Sequence, residues 1–443
     1  MRRILRDSAL PENIRRSLSI SWKEGIPAAI MAGIVDYYMI PYALFLGAST
    51  PQIGFLISVP NLFGSITQLF AVRAVAVSGS RLRFVLIGAI TQAAVLFLAA
   101  TLALRSGPDS KVYALIFLLT VFRMMGHLIG TVWNSLVSDY LPPEQRGNYF
   151  GWRSSIVGIA GIAGIGIAGV LLSCMKEISQ TFGYVLLFIL ASFSRAVSAR
   201  LLSKMADVSS CASREGDFGF LEFIGRFRES NFVRYTLYVA GVIFATHISA
   251  PYFSVYMLRD LHFSYLQYMA IILAGTGTTL IVYPIWGRHA DLVGNARILK
   301  TMSFLIPLIP LLWLISKNPV YLFGVEIFSG FVWGGFNLCV TNYIFDAVSP
   351  PKRVRCLGYF GLINGFAVFF GAFLGGILAE KLPPLLGYRI LTLFLISGVL
   401  RFFAHFLLSG RFQEIRASVR RVSNFQLFFS AFGIKPLTAG DED

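Results

Sequence analysis

Long apolar runs, separated by short polar connections, repeat along almost the whole chain. Runs of about twenty residues with almost no charge fall near 26–47, 52–72, 84–104, 112–138, 150–174, 182–202, 233–257, 265–286, 298–316, 319–345, 358–379 and 388–408. In a helix, ~20 apolar residues cross the ~30 Å hydrocarbon core of a bilayer. Backbone groups in lipid must be satisfied within their own segment, so each run predicts a helix rather than a loop or a lone strand. The pattern predicts an all-α membrane protein with about twelve transmembrane helices. The first run is too long for a secretory signal peptide, and the ALFLGAST stretch after it leads directly into the second span.

Composition agrees with that pattern. Of 443 residues 56% are hydrophobic and only 14% charged, whereas soluble domains carry about 25% charged residues. Soluble, disordered, collagen-like and disulfide-scaffold classes are thereby excluded. The four cysteines, Cys174, Cys211, Cys339 and Cys356, have no CxxC spacing and no histidine at ligand distance, so neither a zinc site nor any other metal or cofactor is expected. A net charge of +16 resembles a nucleic-acid signal only until the charges are placed. With the two termini on one side of twelve spans, thirty Lys and Arg fall on the terminal side and seven on the other; Arg123, inside a span, completes the 38. The fourfold asymmetry predicts that both termini are cytoplasmic and that no nucleic acid is bound.

The longest polar stretch between spans, 203–231, divides the chain into an N-terminal six-helix bundle (1–202) and a C-terminal one (232–408), followed by a tail (409–443). Within 203–231, LEFIGRFRE reads as a short amphipathic helix on the inner face, and the tail has the same basic and aromatic character. The two bundles repeat. Asp139, Pro143, Arg146 and Gly151 recur as Asp346, Pro350, Arg353 and Gly358; Pro41 and Tyr42 recur as Pro251 and Tyr252; Gln52 and Gly79 recur as Gln267 and Gly294. Several matches in one order at close offsets indicate duplication of a six-helix unit.

The stretch Gly287-Arg-His-Ala-Asp291-Leu-Val-Gly294-Asn-Ala-Arg297 resembles the GxxxDxxGxxR-type loop of the major facilitator superfamily, and the D-x-x-x-P-x-x-R loops at 139–146 and 346–353 resemble its other recurring signature. The resemblance covers nearly the whole chain at superfamily level. It implies a transporter of two six-helix bundles that works by alternating access. The chain departs from the pattern at 70–83, where Ala76 replaces the acid of the first-half loop. It also lacks the Gly-Pro pair of drug–proton antiporters in the fifth span, which makes a drug exporter a poorer match. Asp291 alone is left to face the start of the fifth span, near Gly147–Gly151, where a helix dipole favours a carboxylate. An ordinary solvated salt bridge is the alternative.

Ionisable and amide groups inside spans are expensive enough to be functional candidates. Asp36 lies midway along the first span and Arg123 midway along the fourth, where the two can meet and neutralise one another. His127 lies one turn from Arg123, and Asn134 about two turns further. The second half offers His247, Glu326, Asn337, Asn342 and Asn364. By the resemblance these helices line the central cavity. The competing readings are structural: helix–helix hydrogen bonds for the histidines and amides, a purely structural pair for Asp36 and Arg123, and access to outer water for Glu326. The glycine runs at 158–169 and 365–376 read as close-packing seams. His262, His289 and His405 have no evident partner.

The reading that joins these features is a secondary active transporter of a small solute, not an enzyme. It functions as a monomer in the bilayer (the inner membrane, if the source is bacterial), with the proton on Asp36 as candidate coupling ion and facilitated diffusion as the alternative. Its rivals are a non-transporting receptor or lipid-assembly factor of the same fold, and a membrane-embedded lipid-modifying enzyme. The enzyme would need clustered carboxylates that the spans do not contain.

Overall fold

The computed structural model describes residues 11–105, 107–208, 220–225 and 229–415, and these are helical nearly throughout, with no strand among them beyond an isolated bridge between Leu385 and Tyr388. The long helices are α1 Glu12–Phe45, α2 Thr50–Gln68, α3 Arg81–Thr101, α4 Pro108–Ser138, α5 Pro143–Lys176, α6 Gln180–Leu202, α7 Asn231–His247, α8 Tyr265–Val293, α9 Asn295–Leu305, α10 Pro319–Ala347, α11 Pro350–Lys381 and α12 Arg389–Leu408. Pro108, Pro143, Pro319 and Pro350 each stand first in a helix, where the missing N–H has no partner to lose.

Eleven of these, counting the continuations of α7 and α9, are long and apolar enough to cross a membrane. The remaining one, α2, is a helix of 19 residues that carries Gln52, Ser58, Asn61, Ser65 and Thr67 among its apolar positions and ends at Gln68. The span expected over 52–72 is therefore shorter, and a separate helix, Ala71–Ser78, follows it. Within 203–231 the described helix is Phe220–Gly225; Cys211 and the tail beyond residue 415 lie outside the described residues.

Two spans are broken. α7 stops at His247, resumes at Tyr252–Val255 after Pro251, and ends in a π-helical turn over Tyr256–Asp260. α9 stops at Leu305 and resumes over Leu308–Leu312 after Pro307. Proline lacks the N–H that would continue the ladder. Pro27 and Pro41, in contrast, lie inside a continuous α1.

The duplication is visible as geometry. α2 opens with a capping box in which Ser49 N–H donates to Gln52 Oε1 at 2.9 Å and Gln52 N–H to Ser49 Oγ at 3.4 Å. Ser264 and Gln267 repeat it before α8, at 2.9 and 3.2 Å. Gly79 and Gly294 both precede the third helix of their half with positive φ, 71° and 87°, a conformation glycine adopts without steric penalty.

By contact the described chain forms two compact units. One comprises Met1–Arg214, Ala250–Leu273 and Val368–Lys381; the other comprises Glu215–Ser249, Ala274–Ala367 and Leu382–Asp443. Inside the first unit, at the Lys/Arg-poor end, Tyr268 Oη donates to Tyr37 O at 2.6 Å, Arg259 Nη1 to Thr50 Oγ1 at 2.8 Å, and Gln180 Nε2 to Tyr265 Oη at 2.6 Å. Gly54 of α2 and Gly376 of α11 pass so closely that a Cβ on Gly54 would lie 2.7 Å from Ala372 O. The expected seam over 158–169 also forms, with Gly164 against the Ile30 backbone.

Candidate functional site

Asp36 of α1 and Arg123 of α4 meet. Arg123 Nη2 donates to Asp36 Oδ1 at 2.7 Å, and the side chains are 30% exposed for the arginine and 44% for the aspartate. The contact is a single hydrogen bond rather than a bidentate fork, and it belongs to the first unit. His127, one turn along α4, faces Gln68 of α2, with Nδ1 3.3 Å from Oε1, and its ring packs over Gly64. Asn134 is exposed.

The candidates of the second half belong to the other compact unit, and each has its own surroundings there. His247 Nδ1 contacts its own helix at Ile243 O, 2.9 Å away, in the last turn before the break of α7. Asn364 Nδ2 donates to Phe360 O at 2.8 Å, and its buried Oδ1 has no partner among the described residues. Asn337 is exposed and Asn342 half-buried. Glu326 packs over Gly275 of α8, with its Oε2 2.9 Å from where a Cβ there would lie. His289 and His405 have partners that the sequence did not reveal: Ile285 O with the Trp286 ring, and Ser303 Oγ at 2.8 Å with Tyr238.

At the Lys/Arg-rich end, the recurring loops are tied within their own halves. Asp139 accepts from Arg81 Nη1 at 2.8 Å, and Asp346 from Asn295 Nδ2 at 2.7 Å. Arg146 Nε donates to Ser138 O at 2.9 Å and Leu141 O at 3.1 Å, closing the turn between α4 and α5. Arg353 lies in the first turn of α11, a part of the helix whose side chains are not described. In the GxxxDxxGxxR-type stretch, Gly287 and Asp291 belong to α8, Asp291 exposed in its last turn, while Gly294 caps α9 and Arg297 lies half-buried in its first turn.

The sequence reading missed three features. The first is Glu24, buried in α1 before the expected start of the span. It accepts from Arg153 Nη2 at 2.9 Å and from Ser198 Oγ at 3.0 Å, and Ser198 in turn accepts from Arg195 Nη1 at 3.1 Å. The second corrects the charge placement: Arg195 and Arg401, assigned to cytoplasmic flanks, are 5% and 2% exposed inside α6 and α12. Moving both leaves the Lys/Arg asymmetry fourfold.

The third feature is a pair of straps, one after the sixth helix of each half. In the first, Ala206 N–H donates to Ser17 Oγ at 2.8 Å, Tyr140 Oη donates to Ala206 O, and Ser80 Oγ donates to Asp207. Burial pushes the Tyr140 phenol up to about 12, which keeps it a donor. In the second, Gln413 N–H donates to Asn231 Oδ1 at 2.9 Å, Tyr343 Oη to Gln413 O at 2.7 Å, and Ala296 N–H to Glu414 Oε2 at 2.8 Å. Asp207 and Glu414 are themselves a repeat pair, visible only once the straps are seen. No group of three or more His, Cys, Asp or Glu side chains that could hold a metal occurs among the described residues.

Among the described residues, twelve long helices in two repeated sets of six, two of them broken at prolines, with an exposed ion pair within a span, define a multi-pass membrane protein of transporter architecture. The chain belongs to the Major Facilitator Superfamily, whose family profile matches residues 25–249 and 235–433. A mutant form of the nucleoside transporter NupG superposes with a TM-score of 0.70 at 15% identity, covering 89% of this chain and all of that one. The D-xylose-proton symporter gives 0.68 at 12%, covering 92% and 99%. In sequence, the vacuolar basic amino acid transporter 1 of Saccharomyces cerevisiae (strain ATCC 204508 / S288c) is 26% identical over 122 residues, 27% of this chain, and the match spans about a fifth (22%) of that relative's length.

Proposed function

We propose that this protein is a secondary active transporter that carries a small solute through the bilayer by alternating access between the repeated halves, 1–202 and 232–408, with Asp36 as the group that takes and releases a coupling proton. The observation that carries the coupling assignment is the exposed, singly bonded Asp36–Arg123 pair. A mid-membrane carboxylate held by one hydrogen bond can be protonated without dismantling the helices around it. The substrates named for the relatives, nucleosides, xylose and basic amino acids, bracket a small polar solute. No nucleotide-binding loop of GxxxxGK[ST] type occurs in the sequence, so ATP is not the expected driver; of the two remaining modes, ion-coupled transport and facilitated diffusion, the Asp36–Arg123 pair favours the first. Both termini are assigned to the cytoplasm from the Lys/Arg asymmetry, and the inner membrane follows if the source is bacterial. The working unit is a monomer.

Asp291 is assigned as a cytoplasmic latch. It stands in the last turn of α8, where the dipole of its own helix disfavours a carboxylate, so its place there is better explained by a partner outside that helix. Uptake of a labelled compound panel into proteoliposomes, with and without a pH gradient, tests the function. Accumulation above equilibrium of one compound class under the gradient supports it, and no gradient-dependent uptake of any compound contradicts it.

A further inference from the structure

Among the described residues, Arg153, Arg195 and Arg401 each bond the protein through two or three of their nitrogens, whereas Arg123 does so through one. Arg153 gives Nε to Ser21 O and Nη2 to Glu24. Arg195 gives Nε to Gln92 and Nη1 to Ser198. Arg401 gives Nε to Ser397, Nη1 to Ile306 O, and Nη2 to Thr246 O and Ser249. Arg123 gives a single N–H to Asp36 and has no other acceptor among the described residues. A guanidinium carries five N–H donors in a planar fork that matches carboxylate and phosphate oxygens two at a time. The unused part of this fork is not packed away, since the side chain is 30% exposed. Further along α4 on the same side, Gly130 borders open space, because a Cβ there would meet nothing within 4 Å.

We infer that the substrate bears one negative charge, as a carboxylate or a singly charged phosphate diester, taken by Arg123, and that it travels with one proton on Asp36, so that each turnover is electroneutral. This rests on the transporter reading above and goes beyond it in naming the substrate class and the charge balance. At rest the pair is neutral, carboxylate against guanidinium. A proton arriving on Asp36 removes the negative charge and leaves the guanidinium uncompensated at membrane depth, where an unpaired charge is costly even with partial access to water. An anion restores neutrality: one proton sits on the Asp36 carboxyl and one negative group on Arg123. A neutral solute entering with the same proton would leave the guanidinium bare, and a cationic one would add to its charge.

The other charged or titratable groups near Asp36 do not compete for this role. His127 of α4 is turned to Gln68. Tyr37, on its own helix, gives its carbonyl to Tyr268, and Tyr38 gives its hydroxyl to Ile165 O. Arg153 of α5 and Arg195 of α6 are engaged with Glu24, which lies twelve residues, about 18 Å, back along α1. Tyr184 and Tyr265 bond one another.

The test uses purified full-length protein with three compound pools: monocarboxylates and phosphate diesters, neutral polyols and nucleosides, and amines. Thermal stabilisation by each pool is measured at mildly acidic and mildly alkaline pH, followed by uptake of the active compounds into proteoliposomes. The anionic pool should stabilise the protein, with half-saturation about tenfold tighter at acidic pH, because proton and anion must favour each other equally. Asp36→Asn should bind the anion tightly at both pH values. Arg123→Gln should lose binding, and Arg123→Lys should recover part of it. Uptake driven by a pH gradient should not respond to a potassium–valinomycin potential. The inference is overturned if only the neutral or amine pool acts, if no anion acts, or if uptake follows the potential. If an anion accumulates through Arg123 but Asp36→Asn accumulates it equally, the proton-coupling role of Asp36 falls and the substrate class stands.

Discussion

Arg195 and Arg401 occupy corresponding places in the sixth helix of each half, yet only Arg195 has a carboxylate in its network. Arg195 reaches Glu24 through Ser198. Arg401 has no carboxylate among its described partners; its charge is met by Ser397, Ser249 and two main-chain carbonyls, Thr246 O at the end of α7 and Ile306 O at the end of α9. Both carbonyls lie where proline breaks a helix, and helix C-termini carry partial negative charge. The same buried cation is thus neutralised by a side chain in one half and by the ends of two broken helices in the other.

That difference sets the order of two stability changes. Glu24→Ala leaves Arg153 and Arg195 buried without their anion, and should destabilise by about 3–5 kcal/mol. Arg401→Met leaves only neutral acceptors unpaired, and should destabilise by about 1–3 kcal/mol. Thermal unfolding in detergent measures both, and the reverse order would contradict this electrostatic account of the two arginines.

The strap after α12 makes a local prediction. Glu414 caps the first turn of α9 through Ala296 N–H, so Glu414→Ala should weaken that end by about 1 kcal/mol. Hydrogen exchange should quicken at 295–297 by roughly fivefold while α10 keeps its protection. Unchanged exchange at 295–297 would mean the contact contributes nothing to holding the helix end.

How much of this was legible in the sequence depends on which forces leave a mark there. The apolar runs had to be helices, and the repeat showed because Gln52 and Gln267, or Gly79 and Gly294, are caps whose residue type the backbone geometry dictates. Asp36 and Arg123 could be paired in advance because neither charge is comfortable alone in a span. Glu24 was hidden because α1 begins at Glu12, well before the apolar run, so an acid in its polar first turns looked solvated. Arg195 and Arg401 looked like flanking charges although each lies two turns inside its run, because each falls in the half of the run that leads to the Lys/Arg-rich side. The straps use mostly main-chain groups, which have no residue signature.

The proposed latch at Asp291 makes a prediction about populations. Asp291→Asn removes the charge while keeping the size, and should shift the protein toward the inward-open state by about 1–2 kcal/mol, roughly five- to thirtyfold. Spin labels at Ser138 and Phe345 should report a longer mean distance. Ala76→Asp, which restores the acid missing from the first half, should shift the distribution the other way. An unchanged distribution with intact transport would leave Asp291 as a solvated charge at the end of α8.

Orientation is checked by cysteine accessibility. Cysteines at Asp109 and Pro383 should react with an impermeant reagent in intact cells, and those at Asp207 and Lys352 only after permeabilisation. Labelling of position 207 in intact cells would reverse the assigned orientation.

The most direct test of the central claim is to compare accumulation with exchange in proteoliposomes bearing Asp36→Asn. Neutralising the carboxylate mimics its permanently protonated form, so substrate exchange across the membrane should persist at near the wild-type rate while uptake driven by a pH gradient disappears. Adding Arg123→Gln to that variant should recover protein yield if the pair also supports folding, and should not recover gradient-driven uptake. Accumulation by Asp36→Asn at the wild-type level, under the same gradient and at the same protein density, would contradict the account.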